Sequence, residues 1–372
     1  MAVFCTAITL STVGCGDSNA NDKKDTSSEA ASSPAASSKK TNTVLDEEGN
    51  IDYDHYVQLG DYSKIELSTS SIDENTQSQI DDNIKALNDY KKSKKGKVKL
   101  GDTINIYYVG KIDGETFEGG SCTKEDNPEG FNLEIGSGNF IDGFEDVLIG
   151  KTIGKEYKIE ASFPEEYPPN EELAGKPAVF TVTINYKVIY PELTDELVKK
   201  NFKDFDENYK NTADDYAKYI RSNMIRDMAW DYVYISSTVT EYPEDMLEEV
   251  KVQYVTPITY YLSKNGTTLE EYLEAAGMSQ EDFDSQVEKS AKTDLEKRLI
   301  FGAIFKKENK EVSEEEYKEI LDQYLKEYSC DDQEALDKLF EQYYGTASDS
   351  IINNEIIYSN VVDLLAENVK EI

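Results

Sequence analysis

Two hydrophobic patterns follow one another along this chain, and the change between them divides it. Within residues 96–190 the segments TINIYYVG, ETFEGG, FNLEIG, KEYKIEASF and AVFTVTINYKVI carry apolar residues at alternate positions, rich in aromatic and β-branched types. That period of two predicts five strands. Ile141 to Ile149 (IDGFEDVLI) interrupts them and predicts one short helix. Five antiparallel strands with a single helix predict a half-barrel wrapped round it. Of the 21 glycines, 13 fall between Gly96 and Tyr190, which marks this region as turn-dense and the remainder of the chain, poor in glycine, as helical.

From Pro191 onward the pattern lengthens to a helical period. Thr212 with Asp215 predicts a helix running to about Val239, Pro243 suits a first turn, Gln280 to Lys310 predicts another helix, and Ser313 with Glu316 reads as a capping box. Upstream, residues 60–69 alternate like a short strand. Ser71 with Glu74 then predicts a helix start, with Ile80, Ile84 and Leu87 on one face. Lys91, Lys92, Lys94, Lys95 and Lys97 come next. They read either as a patch for an anionic polymer or lipid or, the favoured reading, as charges that complement the helix C-terminal dipole and solvate a hinge.

Composition then removes whole classes of function. The 372 residues carry 75 Asp+Glu against 39 Lys+Arg, a net charge of -36, and such a surface repels phosphate backbones, so no nucleic-acid partner is expected. The length exceeds one core and predicts two folded domains plus a tail. His55 is the only histidine. Paired-imidazole metal sites and Ser-His or Cys-His nucleophiles therefore lack their residues, and His55 itself, in YDHYVQLGDY, reads as a surface or packing residue. Cys5, Cys15, Cys122 and Cys330 show no paired spacing, which predicts neither a zinc ribbon nor a disulfide framework.

Residues 1–14 are uncharged, with an apolar core of signal-peptide length that is too short to span a bilayer. Thr12-Val13-Gly14-Cys15 resembles the lipobox of bacterial lipoproteins, where cleavage before the cysteine exposes a thiol for lipidation. Thr12 stands where Leu is usual. An ordinary secretory signal is the other reading, but residues 15–50 favour the lipobox. They are dominated by Ser, Ala, Asn, Asp and Lys, cannot offset their ordering entropy, and so predict a disordered tether. The expected location is the extracytoplasmic face of the cell membrane, with the chain lipid-anchored at Cys15.

The strand region also carries a resemblance. VKLGDTINIYYVGKIDGETFEGG, IGSGNFIDGFEDVLIGKTIGKEYKIEASFPEEY and ELAGKPAVFTV are similar in order and spacing to the FKBP-type peptidyl-prolyl isomerase domain, most closely that of trigger factor, with FPEEY and GFED the sharpest matches. TLEEYLEAAGMSQEDF and KRLIFGAIFKKENKEVSEEEY resemble trigger factor's helical chaperone part. No counterpart of the ribosome-docking domain is found, so ribosome docking is not expected. The resemblance implies an α+β fold: an FKBP-like antiparallel half-barrel around one short helix at 96–190, preceded by a strand-plus-helix linker at 51–95 and followed by an all-α chaperone domain at 191–372.

It also implies a proline-binding aromatic cup. Tyr108 in YYVG, Phe117 in TFEGG, Phe140 and Ile141 in NFIDGFE, and Phe144 as the floor take catalytic positions. Glu118 takes that of the family's acidic residue. Phe131 in FNLEIG, Tyr167 in FPEEY and Phe180 in AVFTV take substrate-binding positions, while Pro169 falls near a position where other members carry a substrate-bonding Tyr. Aromatics on strands are ordinarily core; their joint spacing decides for a cup, with Phe131 and Phe180 still open to a role as buried support.

The implied chemistry needs no nucleophile, metal or cofactor. Rotation about a peptide bond faces a barrier of about 18–20 kcal/mol, and X-Pro bonds are the type with an appreciable cis population. A dry aromatic cup favours the twisted amide, which has lost resonance, so catalysis is differential binding of that state. Tyr108 and Glu118 would orient the substrate, and the Ile141 N–H would hold the carbonyl beside the ring. The expected partners are unfolded or newly secreted polypeptides, held by the helical arms near the cup. Tyrosines in AWDYVY, ITYY and EQYYG, among 26 in all, read equally as adaptable client contacts or as packing. A non-catalytic holdase and a surface scaffold reusing the fold are the alternatives.

Overall fold

A computed structural model describes residues 43–372 apart from 169 and 207. The N-terminal apolar run, Cys15 and most of the expected tether lie outside the described residues, as does Pro169. In chain order the elements are α1 (Tyr53–Tyr56), β1 (Val57–Gln58), β2 (Ile65–Leu67), α2 (Thr69–Ala86), β3 (Lys91–Ser93), β4 (Thr103–Ile112), β5 (Glu115–Cys122), β6 (Phe131–Glu134), α3 (Phe144–Leu148), β7 (Glu156–Ser162) and β8 (Pro177–Ile189). Beyond them lie α4 (Asp195–Asn201), α5 (Ala213–Ser236), β9 (Thr238–Val239), α6 (Glu244–Lys264), α7 (Leu269–Ala276), α8 (Gln280–Lys307), α9 (Glu314–Glu327), α10 (Gln333–Tyr344), α11 (Ser348–Glu367) and β10 (Val369–Glu371). They form two compact units, residues 73–222 and residues 43–72 with 223–372.

In the first unit, two long antiparallel strands make the spine of a mixed-length sheet. β8 alternates strictly, with Ala178, Phe180, Val182, Ile184, Tyr186 and Val188 buried, because one face of the pleat meets the core and the other meets solvent. It pairs with β4 from Ile104↔Lys187 to Lys111↔Val179. Each outer edge consists of two short strands: β6 and β5 along β4, β3 and β7 along β8. The helix α3 adds Phe144 and Leu148 to the core of Ile104, Ile106, Leu133, Ile159 and Val182. A second cluster in this unit joins Ile80 and Ile84 of α2 to Leu197, Val198, Tyr216 and Ile220.

The second unit is organised by α8. Leu299, Ile300, Phe301, Gly302, Ala303, Ile304 and Phe305 are all buried, so this stretch of the helix is covered on every side, as a central helix must be. Trp230 of α5 stacks on Phe301, with centroids 3.8 Å apart and planes at 17°. The ladders β1–β9, antiparallel, and β2–β10, parallel, complete the unit.

Several expectations are corrected. The helix predicted from Ser71 begins at Thr69, and Ser68 is its capping residue: its carbonyl accepts the Ile72 N–H and its hydroxyl the Ser71 N–H. Lys91 and Lys92, expected in a hinge after the helix, form β3 against Val188 and Ile189. The tether is folded over its last residues, where Leu45 bridges Ile51 and the Val44 N–H donates to the Tyr56 hydroxyl at 2.7 Å. The strand expected over 60–69 shrinks to β2, paired with β10. Residues 51–72 share the α8 core rather than forming a linker, and residues 191–222 fall in the sheet unit. His55 lies at the surface, 2.5 Å from Glu241. Cys122 and Cys330 are both free.

Tyrosine hydroxyls bind carboxylates repeatedly in the helical unit. Tyr62 donates to Glu308 and Tyr324 to Glu355, both at 2.7 Å, and Tyr234 and Tyr242 both donate to Glu296. Burial first, then the carboxylate, pushes the Tyr234 hydroxyl up to about 12 and the others higher. A tyrosine whose folded pKa exceeds its unfolded value of about 10 contributes stability fully present below that pH and lost as pH rises through the folded value. Melting followed by fluorescence of Trp230, the only tryptophan, should therefore fall progressively above about pH 10, and Tyr242→Phe should flatten that fall. An equally steep decline in the variant would show that this pair does not contribute.

Candidate active site

The predicted rings come together on one face of the sheet. Tyr108 lies 5.2 Å from Phe140 and 6.2 Å from Phe131, between centroids, and Phe131 and Phe140 are 5.7 Å apart. Phe140 stacks on Phe144 at 4.1 Å and 18°. Beneath, Phe144 meets Phe180 edge-on at 5.2 Å, and Phe180 meets Phe117 at 6.2 Å. Phe163 extends the array, 5.6 Å from Phe117 and 5.1 Å from Tyr167. Edge-to-face pairs of this kind add about 0.5–1.5 kcal/mol each beyond area burial. Ile141 packs against the same cluster.

Strand geometry explains the placement. Between Val109↔Ser121 and Lys111↔Thr116 the β4–β5 ladder is broken, so residues 117–120 bow out opposite Gly110. The bow turns Phe117 inward and leaves Glu118 exposed. Two glycines make room for rings. A Cβ on Gly110 would stand 2.6 Å from the Phe180 ring, and one on Gly120 would stand 2.5 Å from that of Phe117.

The array is not a simple bowl. Phe144, expected as an open floor, is fully buried, with Phe140 lying flat against it. Phe180 is likewise buried and supports the floor from below, whereas Phe131 is 36% exposed and faces solvent. The open surface is thus that of Phe131, Phe140, Tyr108, Ile141, Phe117 and Tyr167. Glu118, next to Phe117 in β5, is exposed, and no hydrogen bond joins its side chain to Tyr108 or another described residue. The Tyr108 hydroxyl is held above the ordinary tyrosine range, first by burial and then by Cys122, which faces it across the β4–β5 ladder; it stays a neutral donor. Phe163 was not singled out from the sequence, although it opens the FPEEY segment. A shallow groove along α8 from Gln280 to Lys292 is charged and draws on one helix alone, so it lacks convergent groups.

Residues 94–185 match the family of FKBP-type peptidyl-prolyl cis-trans isomerases, and residues 203–367 match the bacterial trigger factor protein C-terminus. The chain thus joins an FKBP-type domain to a trigger factor C-terminal domain. The trigger factor of Staphylococcus saprophyticus is 30% identical over 339 residues, covering 87% of this chain and 73% of that protein. That of Shouchella clausii is 31% identical over 328 residues, covering 85% and 73%. The chain belongs to the trigger factor family.

The glycine contacts are directly testable. Gly110→Ala should force the Phe180 ring off its seat and cost about 1–3 kcal/mol, the usual range for overpacking a core, read as a lower urea midpoint at unchanged slope. A midpoint equal to that of wild type would mean that the ring does not depend on the missing side chain.

Proposed function

We propose that this protein is a membrane-anchored, extracytoplasmic foldase that isomerises X-Pro bonds in secreted or surface polypeptides and holds unfolded chains with its helical unit. The observation that carries the isomerase part is the continuous ring array from Phe131 to Tyr167, which closes around Phe144 with the Tyr108 hydroxyl at its wall. With the sheet read as a half-barrel round α3, the rings form the cup that receives proline. Catalysis is favoured binding of the twisted amide: the apolar rings exclude water from a bond that has lost its resonance dipole, Tyr108 donates to a substrate carbonyl, and the Ile141 N–H holds the carbonyl next to the ring. No proton is transferred and no covalent intermediate forms. Glu118, exposed at the edge, would meet the residue flanking the proline. The lipobox-like sequence ending at Cys15 supports the anchor.

One observation favours the alternative of a non-catalytic holdase: Phe140 covers the floor that a proline ring would touch. A protease-coupled proline-peptide assay separates the two. Wild type should accelerate isomerisation. Tyr108→Phe should lower the rate about two- to tenfold, the worth of one hydrogen bond of about 0.5–1.5 kcal/mol, without altering the melt. Phe140→Ala should lower it more than tenfold if the ring overhangs bound proline. A rate that rises in Phe140→Ala would mark Phe140 as an obstruction, and an inactive wild type that still suppresses aggregation would leave the holdase.

The anchor has its own test. Wild type should partition with membranes, and Cys15→Ser should be released. Equal partitioning of the two would remove lipidation from the reading.

A further inference from the structure

The turn between β6 and α3 carries both Phe140 and Ile141, and one side chain holds it. Glu145, the second residue of α3, is 7% exposed. Its Oε2 accepts the N–H of Gly136 at 2.7 Å and of Gly138 at 3.3 Å. Its Oε1 accepts the N–H of Phe140 at 3.2 Å and the Ser137 hydroxyl at 3.3 Å. Beyond these, the hydrogen bonds of residues 136–140 among the described residues are the Ser137 N–H to the Glu134 carbonyl and a long contact from the Asn139 N–H to the Ser137 hydroxyl, with the Phe140 ring packed on Tyr108, Phe131 and Phe144. A buried carboxylate is costly unless its oxygens are saturated with donors, and here the turn itself supplies all four. Gly136 and Gly138 have φ of 98° and 71°, left-handed values that let this short turn direct successive amides at one acceptor.

We propose that Glu145 is a positioning residue for proline isomerisation: by gathering three amides and one hydroxyl it fixes the 136–141 turn, from which Phe140 reaches the ring array, and presents the Ile141 N–H. That N–H donates to no described group and is free for a substrate carbonyl. The inference rests on the isomerase function proposed for the ring array. Glu145 touches no substrate; it acts through the backbone of the residues that do.

Glu145→Gln keeps the volume and changes the acceptors. One oxygen becomes an NH2 group, which suits the Ser137 hydroxyl but faces the Phe140 N–H donor to donor. The Gln variant of the full chain should stay folded at assay temperature by circular dichroism, while kcat/KM falls about two- to tenfold, the equivalent of one lost hydrogen bond. KM should rise, because a loosened turn binds substrate less well, and amide exchange at 136–141 should speed up while exchange elsewhere is unchanged. Ser137→Ala, which leaves the three amide bonds but removes the hydroxyl that donates to Glu145 and accepts the Asn139 N–H, should fall between wild type and the Gln variant in both kcat/KM and amide exchange. An active wild type with an equally active Gln variant would overturn the proposal. So would a loss in kcat alone in proportion to unfolded protein, since that is the mark of a purely structural role. An inactive wild type is a different pattern: there the isomerase reading fails and the positioning role fails with it.

Discussion

The site depends on a register. Gly110 of β4 faces Phe180 of β8 across the central ladder, and the missing side chain at Gly110 is the space the Phe180 ring occupies. From that seat Phe180 reaches both Phe144 and Phe117. A slip of one residue would turn Phe180 to the opposite face of the sheet and bring Val179 or Thr181 inward. The strict alternation of β8 forbids that slip, since it would expose Val182, Ile184 and Val188 together. The hydrophobic pattern of one strand therefore fixes where a ring beneath the cup must lie, and the bowed residues 117–120 opposite Gly110 bring the next ring to it.

Legibility in the sequence tracks the range of the interactions involved. β8 declared itself because its pattern is local and long. The capping box of Ser313 with Glu316 was equally local, and both of its reciprocal bonds form. The rings were legible through motif spacing, which carries tertiary information that periodicity does not. By contrast, Lys91–Ser93 is charged and short, and only the unpaired end of β8 makes it a strand. Val369–Glu371 pairs with Ile65–Leu67 from the far end of the chain; the alternation over 60–69 was local and legible, whereas Val369–Glu371 has no pattern of its own. Residues 51–72 joined the helical core because α8 needs apolar cover on every side, a requirement set by a helix more than 200 residues later. The stack of Phe140 on Phe144 is a side-chain arrangement, below anything a spacing rule can reach.

That stack bears on how a cup can be both closed and functional. A proline ring that is to rest on Phe144 must first displace Phe140, and the pair is worth about 0.5–1.5 kcal/mol. Such a cost is small beside the apolar surface a bound proline would bury. Covering the floor keeps the large Phe144 ring from water, and Phe144 is fully buried beneath it.

The acid excess of the chain sets a different problem, which the helical unit meets with tyrosine. With 75 acidic against 39 basic side chains, there are too few cations to pair every carboxylate. A tyrosine hydroxyl supplies a hydrogen bond to Glu296, Glu308 or Glu355 while its ring packs into the helical core, so one residue serves both burial and satisfaction. Of the two readings open for the abundant tyrosines, these belong to packing. Tyr260 of α6 packs on Tyr343 of α10, with centroids 4.3 Å apart, and belongs with them. Tyr261, 68% exposed on α6, does not: its ring buries nothing in the helical core, so packing does not account for it.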